Sequence, residues 1–241
     1  MTQSTVYLKV RRVDAATVAQ ARQATVADVH EAMGVAGRAA LLGARMRPIR
    51  EEQPRIAGPA VTAYCWPGDN LMMHRALYLA EPGDVLVVVC QAELSGAQWG
   101  DLATRYALQK GLAGVIVQGC IRDVDQVRAL GLPVWSTHIW PIHPDKNGHG
   151  MVNAPVVCEG VTVRPGDLVV ADGDGVICVP RDQAPEIVQA AVAKMRKEDE
   201  AAEKVLAGAP VWELSGAAAI YARMQVQEID AAFDDTKGDL A

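Results

Sequence analysis

Apolar runs bounded by turn residues recur through the middle of the chain and predict a series of buried strands. Short runs of Val, Ile and Leu are typical of buried strands. Gly, Pro and Asp stand between many of these runs, as expected for turns that lead into strands. The predicted strands are Ile56–Trp66, Val85–Cys90, Gly114–Val117, Val134–Trp135, Val156–Val157, Leu168–Ala171 and Val176–Val179.

Apolar positions that recur every three or four residues predict helices between and around these strands. The predicted helices are Ala15–Met33, Asn70–Ala80, Gly100–Lys110, Asp123–Leu130, Pro180–Leu206 and Ala217–Phe233. Strands and helices alternate in the middle of the chain, which implies parallel strands joined by right-handed crossovers. The spacers within residues 156–179 have only turn length, so antiparallel pairing is expected there. We therefore predict an α/β fold with a mixed central sheet flanked by helices, formed by residues 1–206, and a C-terminal helical tail over residues 207–241.

Composition and charge narrow the classes of function. Half of the 241 residues are hydrophobic, which is enough for a sizeable core, and the net charge is −6. A protein that binds nucleic acid by neutralising phosphates normally carries a basic patch, so we expect no nucleic-acid partner. The N-terminus has no charged region followed by an apolar stretch, and no apolar run is long enough to cross a bilayer. These features predict a soluble, cytoplasmic protein.

The cysteine pattern gives no sign of a disulfide frame or a zinc site. Five cysteines stand singly inside apolar segments, and none forms a C-x-x-C pair. Cysteines used in this way are usually small buried residues in a reducing compartment. We predict that all five are structural.

Two polar segments in the middle of the chain are the best candidates for a functional site. The first begins at Gly100 and opens a predicted helix, whose free backbone N–H groups and positive dipole end suit a carboxylate. Asp101, in the first turn, could also reach a metal ion. The second, Arg122-Asp123, directly follows the apolar strand at Val115–Val117. Open α/β sheets bind ligands at this carboxyl end of their strands.

A structural alternative exists for the Arg122-Asp123 pair. Asp is among the commonest N-cap residues, so Asp123 could cap the helix that runs to Leu130. The two side chains could also form an ion pair with each other. Neither role excludes a functional one, so the sequence leaves these alternatives open.

These segments resemble those of a known family, the class II pyruvate aldolases that act on 4-hydroxy-4-methyl-2-oxoglutarate and 4-carboxy-4-hydroxy-2-oxoadipate. The resemblance covers residues 25 to 208, and its most specific element is Gly100-Asp101-Leu102-Ala103-Thr104 followed by Gly119 and Arg122-Asp123. The other matching segments are Val29-His30-Glu31-Ala32, Met46-Arg47-Pro48-Ile49, Pro67-Gly68-Asp69-Asn70, Pro82-Gly83-Asp84, Pro133-Val134-Trp135 and Ala171-Asp172-Gly173-Asp174-Gly175-Val176. The family shares its fold with the regulator of ribonuclease E activity A, so the resemblance implies a ribonuclease-regulator-like fold of the swivelling β/β/α type.

The resemblance implies a role for each residue of the two central segments. Asp123 is expected to coordinate Mg²⁺ or Mn²⁺, and Arg122 to bind the substrate beside the enolate oxygen. The turn that begins at Gly100 is expected to hold the carboxylate of pyruvate through backbone N–H groups near Leu102 and Ala103. This charge-stabilising arrangement has a physical basis, because a divalent cation and a fixed guanidinium both favour a developing enolate.

Further carboxylates are implied around the metal. Asp101 is expected to contact a water molecule on the metal and to serve in proton transfer. A carboxylate from the C-terminal helix of a neighbouring subunit completes the water shell in this family. Glu198 is the favoured candidate here, with Asp199 and Glu200 as alternatives. The implied assembly is a homo-oligomer, either a ring trimer or a hexamer of two rings.

The function implied by the resemblance is the cleavage of 4-hydroxy-2-oxo di- or tricarboxylic acids to pyruvate and a second 2-oxo acid. Oxaloacetate decarboxylation is an expected side activity, since it passes through the same enolate. One alternative is a decarboxylase or an aldolase for a different substrate on the same scaffold. Another is a non-catalytic protein that binds and restrains a ribonuclease. The combination of Asp101 with Arg122-Asp123 argues against the non-catalytic protein, because binding a ribonuclease does not require residues that hold a metal and stabilise an enolate.

The sequence does not identify the chemical group at the distal end of the substrate. Residues 94–99 and the C-terminal tail differ from the family pattern. The loop from His138 to Gly150 carries three histidines, and we expect it to face the substrate or another subunit rather than to bind metal. Asp69, Asn70 and His74 either line the cleft or merely cap and cover a helix. Trp99 is a candidate for the wall of the pocket.

Overall fold

The structure is a computed structural model that describes residues 4–232, and its mixed sheet flanked by helices confirms the predicted α/β fold. The strands are β1 (Thr5–Val6), β2 (Arg47–Pro48), β3 (Ile56–Cys65), β4 (Val85–Cys90), β5 (Gly114–Ile121), β6 (Val134–Ile139), β7 (Gly150–Val152), β8 (Val156–Cys158), β9 (Val161–Val163), β10 (Leu168–Ala171) and β11 (Val176–Val179). The α-helices are α1 (Ala15–Ala21), α2 (Val26–Ala32), α3 (Leu71–Leu79), α4 (Asp101–Lys110), α5 (Val124–Leu130), α6 (Ala184–Leu206), α7 (Val211–Leu214) and α8 (Ala217–Tyr221).

The main sheet contains nine of the described strands. Its order is β1-β7-β3-β4-β5-β6-β2, and β10 and β11 join it through β3. Strands β3, β4, β5 and β6 are parallel, as predicted, and α3, α4 and α5 connect them in turn. The pairs β10–β11 and β8–β9 are antiparallel, which confirms the prediction for residues 156–179. The loops after β3, β4 and β5 therefore meet at one edge of the sheet.

The continuous apolar runs arise because both faces of the central strands are covered. In β4, Leu86 and Val88 belong to one buried cluster, which includes Met73 of α3. Val85 and Val87 point to the opposite face and pack in a second cluster with the residues of β8 and β9. Successive side chains of a strand point to opposite faces, so a strand buried on both sides has no polar position to alternate with.

The prediction of one continuous helix over Ala15–Met33 is wrong, since the structure has two helices there. The first helix ends at Ala21, and Thr25 caps the second. The Thr25 hydroxyl accepts from the N–H of Asp28, and the Asp28 carboxylate accepts from the N–H of Thr25. This reciprocal capping box starts a new helix after a short break. The Thr-x-x-Asp spacing was the signal for the break that the helical periodicity obscured.

The C-terminal part differs from its prediction. Helix α8 ends at Tyr221, so the predicted helix is too long over the described residues, and Phe233 lies outside them. Gln225 has a positive φ of 51°, which is incompatible with a continuing right-handed helix.

The chain divides into two compact units between Met195 and Arg196, within α6. The division after residue 206 into a catalytic domain and a helical tail stays a prediction. None of the helices within residues 4–232 has the length and apolar character needed to cross a bilayer.

All five cysteines are buried and free, as predicted. Burial raises the pKa of every one of their thiols, because the thiolate loses its hydration. They therefore remain protonated at neutral pH and are weak nucleophiles. Their role is in packing.

Candidate active site

The two polar segments singled out from the sequence meet in one cleft at the carboxyl ends of β3, β4 and β5. The cleft has a volume of about 160 Å³. It is lined by Asn70, Met73, His74, Ala97, Trp99, Gly100, Asp101, Leu102, Ala103, Arg122, Asp123, Pro144 and Lys146. The structure thus brings together every residue that the resemblance assigns to the site within a single subunit.

Asp123 has an unusual backbone conformation at the centre of this cleft. Its φ is 55° and its ψ is 36°, in the left-handed region that few residues other than glycine adopt. It occupies the N-cap position of α5, but its side chain makes no capping hydrogen bond, so the capping alternative is wrong. The left-handed backbone instead turns the carboxylate towards Gly100 and away from its own helix. Unfavourable backbone geometry of this kind is concentrated at functional sites.

The Asp123 carboxylate is only loosely held by its neighbours. Its Oδ2 lies 3.5 Å from the Nε of Arg122 and 3.5 Å from the backbone nitrogen of Asp101. Charge-assisted hydrogen bonds between such groups are normally about 2.7–2.9 Å long. The two side chains are therefore near each other without forming a tight ion pair. The carboxylate keeps oxygen lone pairs available to a cation or a ligand.

Gly100 is required by a close approach. A Cβ atom at this position would lie 2.7 Å from Oδ2 of Asp123. The φ of Gly100 is −167°, an extended conformation open to any residue, so space and not backbone freedom explains the glycine. The absence of a side chain lets the Asp123 carboxylate lie against the start of α4.

The start of α4 has the properties of an anion site. Gly100 offers no side-chain cap, and the first backbone bond of the helix runs from the N–H of Thr104 to the carbonyl of Gly100. The N–H groups of Leu102 and Ala103 precede it and have no carbonyl within the helix to bond. The Thr104 hydroxyl also donates to the Gly100 carbonyl and accepts from the indole N–H of Trp99 at 2.8 Å. This network fixes the turn and leaves the helix N-terminus open to the cleft.

Asp101 and Arg122 complete the charged part of the cleft. The Asp101 carboxylate lies in the first turn of α4, where the nearest cation is the Nε of Arg105 at 3.6 Å. The backbone N–H of Arg122 donates to the carbonyl of Trp99 at 3.0 Å, which ties the end of β5 to the start of α4. The Arg122 Nη1 lies 3.4 Å from Nδ1 of His143. Both side chains are partly exposed, so a ligand could reach them.

A partly buried acidic side chain, Glu93, fixes the end of β5. The register of β5 shifts between Val117 and Cys120, and the N–H of Gly119 donates to the hydroxyl of Thr137 there. That hydroxyl donates to the Glu93 carboxylate at 2.7 Å. Burial opposes the charged form of Glu93, but Thr137 and Arg45 outweigh it and hold the pKa below its ordinary value. Glu93 is therefore ionised at neutral pH, and its role was not predicted from the sequence.

The loop over residues 138–150 supplies part of the cleft wall. Pro144 and Lys146 line the cleft, which agrees with the expectation that this loop faces the site. Asp69 holds the loop, since its carboxylate accepts from the backbone N–H groups of Asn147 and Gly148. The position of Lys146 could not be predicted from the sequence, because nothing local distinguishes it from a surface lysine.

Asn70 and His74, which the sequence left undecided, both line the cleft. The Oδ1 of Asn70 is buried and has no hydrogen-bond partner among the described residues. Partial burial and the nearby positive charge of Lys146 lower the pKa of His74. His74 is therefore neutral at neutral pH. The cleft wall thus offers an unsatisfied acceptor and a neutral imidazole next to a lysine.

The oxygen ligands in the cleft fit a hard divalent cation that keeps most of its water. Of the residues that the structure describes, Asp101 and Asp123 are the two carboxylates that line it. Mg²⁺ is usually bound through one or two carboxylates and retains several waters. Among residues 4–232 no group of three or more His, Cys, Asp and Glu side chains is arranged to enclose a metal. The donor set therefore fits Mg²⁺ or Mn²⁺ and does not fit a closed structural zinc site.

The acidic residues predicted to come from a neighbouring subunit lie on α6. Glu198, Asp199 and Glu200 belong to the second compact unit, and all three are exposed. Their exposure allows a role in the site of another subunit. That role stays a prediction.

Comparison with known proteins gives consistent relatives. The model of the RraA-like family, described as Aldolase/RraA, matches residues 26–178. A protein of Halalkalibacterium halodurans, provisionally named 4-hydroxy-4-methyl-2-oxoglutarate aldolase, is 37% identical over 165 residues, which are 68% of this chain and 78% of the relative. The crystal structure of Streptomyces coelicolor RraAS2, titled an unusual member of the RNase ES inhibitor RraA protein family, is similar with a TM-score of 0.70 at 32% identity, covering 80% of this chain and all of that one. An uncharacterized Pseudomonas syringae protein has a TM-score of 0.76 at 25% identity, covering 85% of this chain and 95% of its own.

Proposed function

We propose, from the premise that this chain belongs to the RraA-like family, that it is a divalent-metal-dependent carbon–carbon lyase. In this proposal it cleaves 4-hydroxy-2-oxo acids to pyruvate and a second 2-oxo acid, and it decarboxylates oxaloacetate as a side activity. The names of its relatives support an aldolase acting on a small molecule. The observation that carries the proposal is the uncapped, left-handed Asp123, whose carboxylate lies beside Arg122 and the open start of α4.

The start of α4 binds the carboxylate of the substrate in this proposal. The N–H groups of Leu102 and Ala103 donate to it, and the positive end of the helix dipole favours its charge. Binding there places the adjacent 2-oxo group between α4 and the end of β5. Arg122 follows β5 directly, so its guanidinium reaches the 2-oxo oxygen.

Cleavage moves an electron pair into the pyruvate fragment. The proton leaves the 4-hydroxyl group, the C3–C4 bond breaks, and its electrons form the enolate of pyruvate while the other fragment becomes a 2-oxo acid. The guanidinium of Arg122 stabilises the charge where it develops, and its planar fork can address two oxygens. A divalent cation held by Asp123, when bound, supplies further positive charge and lowers the pKa of water.

Asp101 is placed to move the protons. Its carboxylate, at the mouth of the cleft, accepts the proton of the 4-hydroxyl group through a water molecule and later returns a proton to the methylene carbon of the enolate. Among the described residues, the lysine that lines the cleft is Lys146, which comes from the loop over residues 138–150 and not from α4 or the end of β5. A Schiff-base route therefore has little support.

The test is the release of pyruvate from a panel of substrates with and without metal. We expect release from 4-hydroxy-4-methyl-2-oxoglutarate or 4-carboxy-4-hydroxy-2-oxoadipate in Mg²⁺ or Mn²⁺, loss of that activity in excess EDTA, and recovery when metal is restored. Activity that persists in EDTA after dialysis would contradict metal dependence. Pyruvate released from oxaloacetate alone would make the protein a decarboxylase on the same scaffold.

The relationship to a ribonuclease inhibitor supplies the non-catalytic alternative. A binding protein would show no lyase activity with any substrate of the panel, and Asp123→Ala would leave ribonuclease inhibition intact. Both results together would establish that alternative. Activity that depends on Asp123 would exclude it.

Replacing Gly100 with Ala is expected to lower kcat/KM by about tenfold to a hundredfold, because displacing a catalytic group by a fraction of an ångström has effects of this size. The added Cβ would lie 2.7 Å from Oδ2 of Asp123, and the flexible carboxylate is the group that must move. The unfolding temperature should change little for the same reason. Gly173→Ala is the matched control, since a Cβ there meets no atom within 4 Å. Equal activity of the two variants would contradict the assigned position of Asp123.

Assembly is part of the same proposal. We place Glu198 of a neighbouring subunit near the metal and water of each site, with Asp199 or Glu200 as alternatives, in a ring trimer or a hexamer. The exposure of these residues on α6 supports this. Loss of activity on dissociation to monomers would be expected.

A further inference from the structure

We propose that a second cleft, formed under the N-terminal segment, binds a small organic molecule with two or more anionic groups. The segment over residues 7–13 continues from β1 and crosses the edge of the sheet. The cleft beside it has a volume of about 520 Å³ and shares no lining residue with the candidate active site. Binding sites for small molecules commonly have volumes of about 300–1,000 Å³.

The cleft is held open by contacts at both ends of the segment. At one end, the Nδ2 of Asn153 donates to the carbonyl of Tyr7 at 2.9 Å. At the other, the N–H of Val13 donates to the carbonyl of Gly166. A Cβ atom on Gly166 would lie 1.8 Å from the carbonyl oxygen of Arg11, so the segment passes directly over this glycine. The cleft is therefore formed before any ligand arrives, which reduces the entropy lost on binding.

The charge of the cleft is positive. Lys9, Arg11 and Arg181 line it, and none of its lining residues within 4–232 is Asp or Glu. The guanidinium of Arg181 donates to the carbonyl of Arg11 and pairs with Asp182 at 3.0 Å. The side chains of Lys9 and Arg11 make no ion pair or hydrogen bond within residues 4–232. Two uncompensated cations on one wall are notable in a chain whose net charge is −6.

Asn153 has two unfavourable features at the wall of this cleft. Its φ is 54°, in the left-handed region, and its Oδ1 is buried without a hydrogen-bond partner among the described residues. The amide cannot be flipped to relieve this, because the carbonyl of Tyr7 requires the Nδ2 donor. The Oδ1 atom is a hydrogen-bond acceptor and offers no attraction to an anionic oxygen, so the affinity for an anion comes from Lys9 and Arg11.

The remaining wall is largely apolar and indicates the body of the ligand. It is formed by Tyr7 together with Met151, Pro155 and Pro165. A small inorganic anion would contact the cations without using this surface. A polycarboxylate or a phosphorylated organic molecule would use both. The ligand class is therefore an organic polyanion.

The experiment is isothermal titration of the full-length protein with citrate and, separately, with pyrophosphate, in metal-free buffer. We expect binding of at least one of the two probes. The double variant Lys9→Gln/Arg11→Gln should weaken that binding by about tenfold or more, since each charge-assisted contact contributes strongly. The charge-matched control Arg38→Gln/Lys204→Gln should bind both probes as the wild type does. Arg122→Gln should keep the binding that Lys9→Gln/Arg11→Gln weakens, and any additional citrate binding that Arg122→Gln removes belongs to the carboxylate site of the proposed function. The stronger probe identifies the ligand as a carboxylate or a phosphate compound.

Three results would overturn the proposal. The first is the absence of binding by either probe at millimolar concentration. The second is an equal loss in the two double variants, which would mean a general charge effect. The third is a loss in Arg122→Gln with none in Lys9→Gln/Arg11→Gln, which would place the anion in the active site. Circular dichroism tests whether each variant is folded. If the double variant does not fold, the single variant Lys9→Gln replaces it in the titration, because the Lys9 side chain is exposed. None of these results depends on lyase activity.

Discussion

Replacing Asp123 with Asn is expected to lower kcat/KM for pyruvate release by at least about a thousandfold. Asn has nearly the same shape, so the fold and the left-handed backbone should survive, because Asn also tolerates that conformation. What is lost is the negative charge next to Arg122 and the start of α4. That charge is the main attraction for a divalent cation in the cleft, and the waters around the cation can replace the remaining contacts only in part.

The measurement pairs steady-state kinetics over a range of Mg²⁺ concentrations with calorimetric titration of Mg²⁺. Weaker metal binding should accompany the lost activity, and added Mg²⁺ should restore little of it. Asp125→Asn is the control: this carboxylate lies two residues away on α5, is 90% exposed and lies 3.7 Å from Nη1 of Arg128. Activity of Asp123→Asn within tenfold of the wild type, with unchanged Mg²⁺ affinity, would show that the cation is not held there.

Replacing Arg122 with Lys is expected to lower kcat by about a hundredfold to a thousandfold, with a smaller change in KM. Lys keeps the positive charge, but it lacks the planar fork that reaches two oxygens at once. Its ammonium group also binds water strongly and would not hold the orientation that His143 supports from 3.4 Å. Because the charge to be stabilised develops only as the C3–C4 bond breaks, the effect should fall mainly on kcat.

The check is a comparison of kcat and KM for the aldol substrate and for oxaloacetate. Both reactions pass through the same enolate, so both should lose activity to a similar extent. Arg75→Lys is the control, since Arg75 is an exposed residue of α3 stacked on the ring of Tyr78, 5.3 Å from its centroid. A change in KM alone would make Arg122 a binding residue without a part in charge stabilisation.

The local sequence was sufficient to predict the bounds of strands that consist of one uninterrupted apolar run. Val85–Cys90, Leu168–Ala171 and Val176–Val179 begin and end as predicted, because a run of apolar residues between turns allows one extended, buried arrangement. The strand predicted at Gly114–Val117 extends to Ile121 in the structure, past the register shift. A shift held by Thr137 depends on a contact between strands and leaves no trace in the periodicity of the strand itself.

Some residues of the candidate site could be recognised from the local sequence and others could not. Gly100-Asp101 and Arg122-Asp123 could be recognised because each is a short polar segment at the end of an apolar run. Lys146 and His143 could not be assigned, because their places in the cleft wall and beside Arg122 depend on how a distant loop folds back. The requirement for Gly100 likewise follows from a side chain more than twenty residues away.

The sequence by itself determined the class of fold, the order of most strands and helices along the chain, and the two segments that carry the charged groups. Only the tertiary structure decided that Asp123 does not cap its helix, that Asn70 and Lys146 share its cleft, and that Lys9 and Arg11 line another. The physical reason is the range of the forces involved. Burial and helix or strand periodicity act on neighbours in sequence, whereas the meeting of loops depends on strand order and on packing between residues far apart in the chain.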